Sequence, residues 1–121
     1  MSTLLLLIPD LMFSVRVSDV ARALGHTTRE VPDAAALLPA ARADAAAIII
    51  DTQTRSDWQS AVRDLKADPA TASIPILAFG PHVDVTAARQ AVGAGCDRIV
   101  TRGKFAAELP QLVQALLTLN P

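Results

Sequence analysis

The sequence predicts an α/β domain in which five strands form one parallel sheet and a helix follows each strand. Apolar runs of strand length alternate along the chain with segments whose apolar residues recur every three or four positions. The predicted strands are Thr3 to Ile8, Thr27 to Val31, Ala45 to Ile50, Ile74 to Phe79 and Arg98 to Thr101. Strict alternation of strands and helices favours parallel pairing, with helices covering both faces in a doubly wound (βα)5 arrangement.

Five helices are predicted from the apolar spacing between these strands. They are centred on Leu11 to Leu24, Ala36 to Ala40, Trp58 to Leu65, Val85 to Ala94 and Phe105 to Leu117, the last ending before Asn120-Pro121. Gly25 suits a left-handed stop after the first helix, Ser56 or Asp57 can cap the third, and Asp84 can cap the fourth. Pro39 and Pro110 fall inside predicted helices, so short or bent helices are expected there.

Length and composition predict one domain over residues 1–121, since a chain of this length can bury a hydrophobic core without disulfides or a structural metal. With 11 basic and 12 acidic side chains, no general field attracts nucleic acid or an anionic membrane, and no DNA-binding unit lies beyond the five repeats. The apolar stretch Leu4 to Ile8 is too short for a membrane span and lacks the basic flank of a signal peptide. A cytoplasmic location is therefore expected.

Cysteine and histidine usage argues against disulfides and structural zinc. Cys96 is the single cysteine, and with His26 and His82 it forms no set at metal-ligand spacing. Because no base neighbours Cys96 in sequence, a small buried thiol is the favoured interpretation over a nucleophile.

Asp51 ends the apolar run that forms the third predicted strand. Such a strand, buried on both faces, emerges at the carboxyl edge of the sheet, where α/β folds place their chemistry. A functional carboxylate and a strand-end cap or turn residue are the two interpretations of Asp51.

Three segments resemble one family. Leu65 to Phe79 reads LKADPATASIPILAF and is similar to the passage from the third helix to the fourth strand of response-regulator receiver domains, which commonly read much like LRADPATASIPVIALT. Ala45 to Asp51 resembles the strand that ends in the family's phospho-accepting aspartate, and Ala94 to Arg102 resembles its AGADAYLTK passage into the fifth strand. The resemblance to this CheY-like family covers the whole chain and implies a flavodoxin-like receiver fold.

The resemblance implies a set of site residues, several of which differ here. Asp51 matches the phospho-acceptor, and Asp10 is what remains of the acidic pair that holds Mg²⁺ with it; the alternative for Asp10 is an N-cap. Gly80 stands where the family has the hydroxyl that binds the phosphoryl group and carries the switch. Arg102, followed by Gly103, stands where the family has Lys-Pro, and its forked guanidinium is not equivalent to an ammonium.

These departures predict a degenerate receiver, or pseudo-receiver. Losing metal ligands and the hydroxyl removes what makes phosphoryl transfer to a carboxylate fast. We therefore expect Asp51 to pair with Arg102, or with Arg55, which with Thr54 replaces the usual Met-Pro; the alternative for Arg55 is a solvated loop charge. The competing prediction is a phosphorylatable receiver that uses Asp51, Asp10 and Arg102 with Mg²⁺ as its cofactor.

We then expect the domain to act by binding other proteins and not as an enzyme. The resemblance implies a histidine kinase, an output protein or a second copy as partner, through the face of the fourth helix, fifth strand and fifth helix. Candidate residues on it are Arg89, Gln90, Asp97, Arg98, Lys104 and Glu108, for each of which plain solvated surface is the alternative. Trp58 and Phe105 are either surface anchors or core. A flavin-binding domain is a third interpretation, but Pro9 to Met12 lacks donors for a flavin phosphate.

Overall fold

Five parallel strands form one sheet in the order β2-β1-β3-β4-β5 in the computed structural model, which describes residues 2–119. The strands are β1 (Thr3–Leu7), β2 (Thr27–Glu30), β3 (Ala47–Asp51), β4 (Ile76–Gly80) and β5 (Arg98–Thr101). All neighbouring pairs are parallel, with Asp51 beside Phe79 and Gly80 beside Thr101 at the carboxyl edge. The predicted (βα)5 fold class is confirmed.

Six α-helices within residues 2–119 cover the sheet. They are α1 (Leu11–Ala23), α2 (Leu37–Ala43), α3 (Trp58–Ala67), α4 (Val85–Ala94), α5 (Arg102–Ala107) and α6 (Leu109–Thr118), and a 3₁₀ turn at Ala34–Ala36 precedes α2. Asp10, Asp57 and Asp84 cap α1, α3 and α4 by accepting hydrogen bonds from backbone N–H groups of the first turn.

The prediction of one C-terminal helix over Phe105 to Leu117 is wrong, because the structure has two helices there. Pro110 lies at the start of α6, where a missing backbone N–H leaves no intrahelical bond unmade. Pro39 similarly lies in the first turn of the short α2. Met1, Asn120 and Pro121 lie outside the described residues, so the predicted end of the last helix before Asn120-Pro121 falls at the edge of what the structure describes.

Alternate residues of the central strands pack against opposite helical layers. The first layer contains Leu5, Leu7, Ile48, Ile50, Ile76 and Ala78 with α2, α3 and α4, whereas the second contains Leu4, Leu6, Ile49, Leu77, Phe79 and Val100 with α1, α5 and α6. Burial on both faces explains why these strands read as unbroken apolar runs.

Two glycines end helices in a left-handed conformation. Gly25 (φ 88°) follows α1, and its N–H donates to Arg22 O while the N–H of His26 donates to Ala21 O. Gly95 (φ 125°) ends α4 through the same pair of bonds. This is the Schellman arrangement, which satisfies carbonyls left over at the end of a helix. The predicted stop at Gly25 is confirmed.

None of the helices within residues 2–119 has the length and apolar character needed to cross a membrane.

Candidate functional site

The carboxyl edge of the sheet brings together four residues singled out in the sequence. Asp51 is the last residue of β3 and is only 2% exposed, and Gly80 ends β4. Asp10 follows β1 at the start of α1, and Arg102 follows β5 at the start of α5. Parallel strands place all their carboxyl ends at one edge, so residues distant in sequence meet there.

Arg102 joins the two carboxylates of this edge. Its Nη1 donates to Asp51 Oδ2 at 3.3 Å, and its Nη2 donates to Asp10 Oδ2 at 2.9 Å. The same Nη1 lies 3.5 Å from the side-chain oxygen of Gln53. The planar fork of a guanidinium can serve two acceptors in this way, whereas an ammonium acts as a point charge. The ion pair expected between Asp51 and Arg102 is present.

Aromatic rings hold the Arg102 side chain in place. Its guanidinium carbon lies 4.5 Å above the ring centroid of Phe13 and 5.9 Å from that of Phe79. Phe79 in turn stacks on Phe105 with centroids 4.4 Å apart, and Phe13 packs edge-on against both rings. A cation over an aromatic face is attracted by the ring quadrupole, so these rings favour the conformation that reaches Asp51.

The remaining carboxylate oxygens have backbone partners. Asp51 Oδ1 accepts a hydrogen bond from the N–H of Gln53 at 2.9 Å, and Asp10 Oδ1 accepts one from the N–H of Phe13 at 3.2 Å. Asp10 is therefore both the N-cap of α1 and a partner of Arg102. Each oxygen of the buried Asp51 is satisfied within the protein, as a buried charge requires.

The donor set at this edge does not fit a divalent cation. Mg²⁺ requires several oxygen ligands at near-octahedral geometry. One oxygen of Asp10 and one of Asp51 already accept hydrogen bonds from Arg102, whose positive charge bridges the two carboxylates. Among residues 2–119, no group of three or more His, Cys, Asp or Glu side chains is arranged to hold a metal ion.

Gly80 is enclosed by a residue that the sequence did not single out. A Cβ at this position would overlap the side-chain oxygen of Thr52 and would lie 3.6 Å from Thr52 Cβ. The hydroxyl that is absent from the end of β4 thus has a counterpart next to Asp51 on the chain. A glycine at a buried strand end is the one signal in the sequence that a neighbouring group approaches closely here.

Arg55 does not share the pairing of Arg102. It is exposed in the loop between β3 and α3, and it forms no ion pair within the part of the chain that the structure describes. The solvated-loop alternative therefore describes Arg55.

The face formed by α4, β5 and α5 carries the charges expected there. Arg89, Gln90, Arg98, Lys104 and Glu108 are exposed. Asp97 has a structural task instead, since it accepts a hydrogen bond from the N–H of Ile76 at 2.7 Å and lies 3.6 Å from Lys66 Nζ. Two valines on α4 add apolar surface, with Val85 67% and Val92 61% exposed.

The remaining candidates belong to the core. Phe105 is fully buried, and Trp58 is half-buried against the first layer. Cys96 is buried, and burial, with the Asp97 carboxylate beside it, raises the pKa of its thiol to about 12. A thiol with such a high pKa is a poor nucleophile at neutral pH, in agreement with the structural interpretation.

Comparison with known proteins places the fold. No family model matches the sequence, and no curated protein matches it significantly. Among solved structures, a candidate response regulator from Chloroflexus aurantiacus is 22% identical with a TM-score of 0.84, covering 97% of this chain and 98% of that one. The receiver domain of sensor histidine kinase PA1611 from Pseudomonas aeruginosa, with a magnesium ion in its active-site cleft, is 21% identical with a TM-score of 0.82 and covers 97% and 98%.

A CheY-like receiver domain from Methanospirillum hungatei is equally close in shape, with a TM-score of 0.82 at 9% identity over 98% of this chain and 94% of that one. The chain therefore has the fold of response-regulator receiver domains. At these identities the likeness extends to the fold alone, and the site must be judged from its own residues.

Proposed function

We propose that this chain is an atypical receiver domain of two-component-type signalling that acts through protein contacts, with Asp51 paired to Arg102 in place of being phosphorylated. The observation that carries this proposal is the Arg102 bridge between Asp51 and Asp10, at 3.3 and 2.9 Å. The role carries with it the expectation of a cytoplasmic location.

The chemistry of the cleft supports the proposal. Phosphoryl transfer depends on positioning the phosphoryl group and neutralising its oxygens. Here the accepting carboxylate already has a cation and a backbone N–H as partners, and Asp10 is committed to the same cation. A donor would have to displace Arg102 from Asp51 before reacting, which costs the energy of a partly buried ion pair.

Mass spectrometry of the intact protein tests this proposal. After incubation with acetyl phosphate and Mg²⁺, we expect the mass of the wild-type chain to be unchanged. A stoichiometric increase of one phosphoryl group that Asp51→Asn abolishes would overturn the proposal. Arg55→Ala is the matched control, because it removes a neighbouring exposed arginine without touching the pair.

A phosphorylatable receiver that uses Asp51 with Asp10 and Mg²⁺ is the second candidate. The observation in its favour is the position of Asp51, a buried carboxylate at the carboxyl end of the central strand. Trp58 begins α3, directly after the site loop, so its fluorescence is a suitable probe. Quenching by millimolar Mg²⁺ that Asp51→Asn removes would favour this candidate, whereas an unchanged signal favours the first.

For the partner we propose the face of α4, β5 and α5. Val85, Arg89 and Val92 lie one helical turn apart along α4 and combine apolar surface with a central charge. The partner would be a histidine kinase, an output protein or a second copy of the chain. Sedimentation equilibrium tests the second copy, since a dimer that Val92→Glu dissociates supports it and a concentration-independent monomer excludes it.

A further inference from the structure

At the edge of the cleft, the Thr52 side chain occupies the space that a side chain on Gly80 would need. An ideal Cβ on Gly80 would come closer to the Thr52 side-chain oxygen than non-bonded heavy atoms approach, while Thr52 Cβ itself would remain at an ordinary 3.6 Å. The conflict is therefore with the γ oxygen of Thr52, since Thr52 Cγ2 would lie at an ordinary 3.9 Å. In contrast, a Cβ on Gly93 or on Gly103 would meet nothing within 4 Å.

The backbone around Thr52 fixes the position of this side chain. Its N–H donates to Phe79 O at 2.9 Å, which extends the pairing of β3 with β4 by one residue beyond Asp51. The next residues turn back, because the N–H of Gln53 donates to Asp51 Oδ1 and the N–H of Thr54 to Asp51 O. These hydrogen bonds fix the backbone at Thr52, so its Cβ stays beside Gly80.

We infer that Thr52 is a positioning residue that permanently fills the space a side chain at the end of β4 would use. This inference rests on the proposed function and deepens it, since it names a second element that keeps the cleft in one arrangement. Arg102 holds the carboxylate of Asp51, and Thr52 holds the neighbouring end of β4. With a glycine at position 80, the last residue of β4 has no side chain that could follow a change at Asp51 and transmit it to α4.

The inference also predicts a dependence between the two positions. A hydroxyl introduced at position 80 while Thr52 keeps its γ oxygen should destabilise the protein, because overpacking a buried strand end displaces the backbone or forces poor rotamers. Removing the γ atoms of Thr52 should make the same change tolerable. A single substitution therefore restores a side chain at the end of β4 at a cost in stability, whereas a paired substitution largely avoids that cost.

Thermal unfolding of four variants tests the dependence without involving phosphate. We expect Gly80→Ser to lower the melting temperature by about 5 °C. In the Thr52→Ala background the same change should cost less than about 2 °C. Thr52→Val, which keeps a γ branch of the same shape, should not rescue. Gly93→Ser is the matched control, because it adds the same side chain in open space on α4.

An NMR comparison tests the transmission, which a purely structural role would leave unaffected. In the wild-type background we expect Asp51→Asn to shift amide resonances around the cleft only. In the Gly80→Ser/Thr52→Ala background the shifts should extend to Val85–Ala94.

Equal loss of stability from Gly80→Ser in both backgrounds, or equal spread of shifts, would overturn the inference. Neither result bears on whether Asp51 takes up a phosphoryl group, which the mass measurement decides separately.

Discussion

The guanidinium of Arg102 serves two carboxylates that differ greatly in their access to water. The Asp51 side chain is 3% exposed, whereas that of Asp10 is 48% exposed. A buried carboxylate that loses its cation suffers the full cost of desolvation, whereas an exposed one is rehydrated. Stability should therefore depend on Arg102 chiefly through Asp51.

Arg102→Ala should destabilise the protein by about 2 kcal/mol at neutral pH, less than a fully buried pair because the arginine is 32% exposed. Urea denaturation followed by circular dichroism measures this change. Adding Asp51→Asn should restore part of the loss, since the orphaned charge is then removed. Arg55→Ala should cost less than about 0.5 kcal/mol. An Arg102→Ala protein as stable as the wild type would contradict the importance of the pair.

The sequence indicated Arg102, Asp51 and Asp10 because residue identity and register were enough to bring them to one edge. Thr52 and Gln53 could not be found in the same way. Their contributions depend on the backbone turn after Asp51, where a carboxylate oxygen accepts from Gln53 and the turn directs Thr52 toward β4. Such turns arise from local hydrogen bonding that apolar periodicity does not record.

At the scale of elements, the placement of prolines separates α5 from α6. Pro110 should be replaceable by alanine at a cost below about 0.5 kcal/mol, because it lies in the first turn of α6 where no N–H is needed. Ala115→Pro, in the interior of the same helix, should cost about 3 kcal/mol because it removes a hydrogen bond and clashes with the preceding turn. Urea denaturation of both variants checks the difference, and equal costs would contradict it.

The cap of α3 gives the protein a defined acid sensitivity. The N–H and hydroxyl of Ser60 bond the carboxylate of Asp57 and hold its pKa below the usual 3.8. When a carboxyl group has a lower pKa in the folded state than in the unfolded state, it stabilises the protein at pH values above its unfolded-state pKa. That contribution is lost as the pH falls through the folded-state pKa.

We therefore expect an NMR titration of Asp57 to show a midpoint below 3.8. Asp57→Asn can still accept from the backbone but cannot titrate, so its stability should fall less steeply with acid than that of the wild type. Identical slopes for the two proteins would contradict this account.

Strands were easier to predict than helices for a physical reason. Central strands buried on both faces leave a continuous apolar run, and the ends of β3 and β4 differ from the prediction by two residues at most. The division between α5 and α6 leaves the apolar spacing almost unchanged, because Phe105 and Leu109 still face the same layer. Only Pro110 marks the break, and a proline is compatible with either a bend or a new helix start.

At the scale of the whole molecule, the two helical layers differ in composition. All three phenylalanines pack together in the layer of α1, α5 and α6. Phe105→Ala should destabilise the protein by about 4 kcal/mol, because it removes a fully buried ring that stacks on Phe79. Leu11→Ala, at an apolar position that is 67% exposed, should cost less than about 0.5 kcal/mol. Guanidinium denaturation distinguishes the two, and a small loss for Phe105→Ala would contradict the packing.

The single tryptophan, Trp58, packs against the other layer, formed by α2, α3 and α4. Its emission therefore reports on one side of the sheet, while the sharp near-ultraviolet fine structure of the phenylalanines, which stands out from the broad tryptophan band, reports on the opposite side. The two sides of the sheet thus carry different aromatic chromophores. Should the two halves melt at different temperatures, ordinary optical spectroscopy would resolve the sequence of events without any added dye.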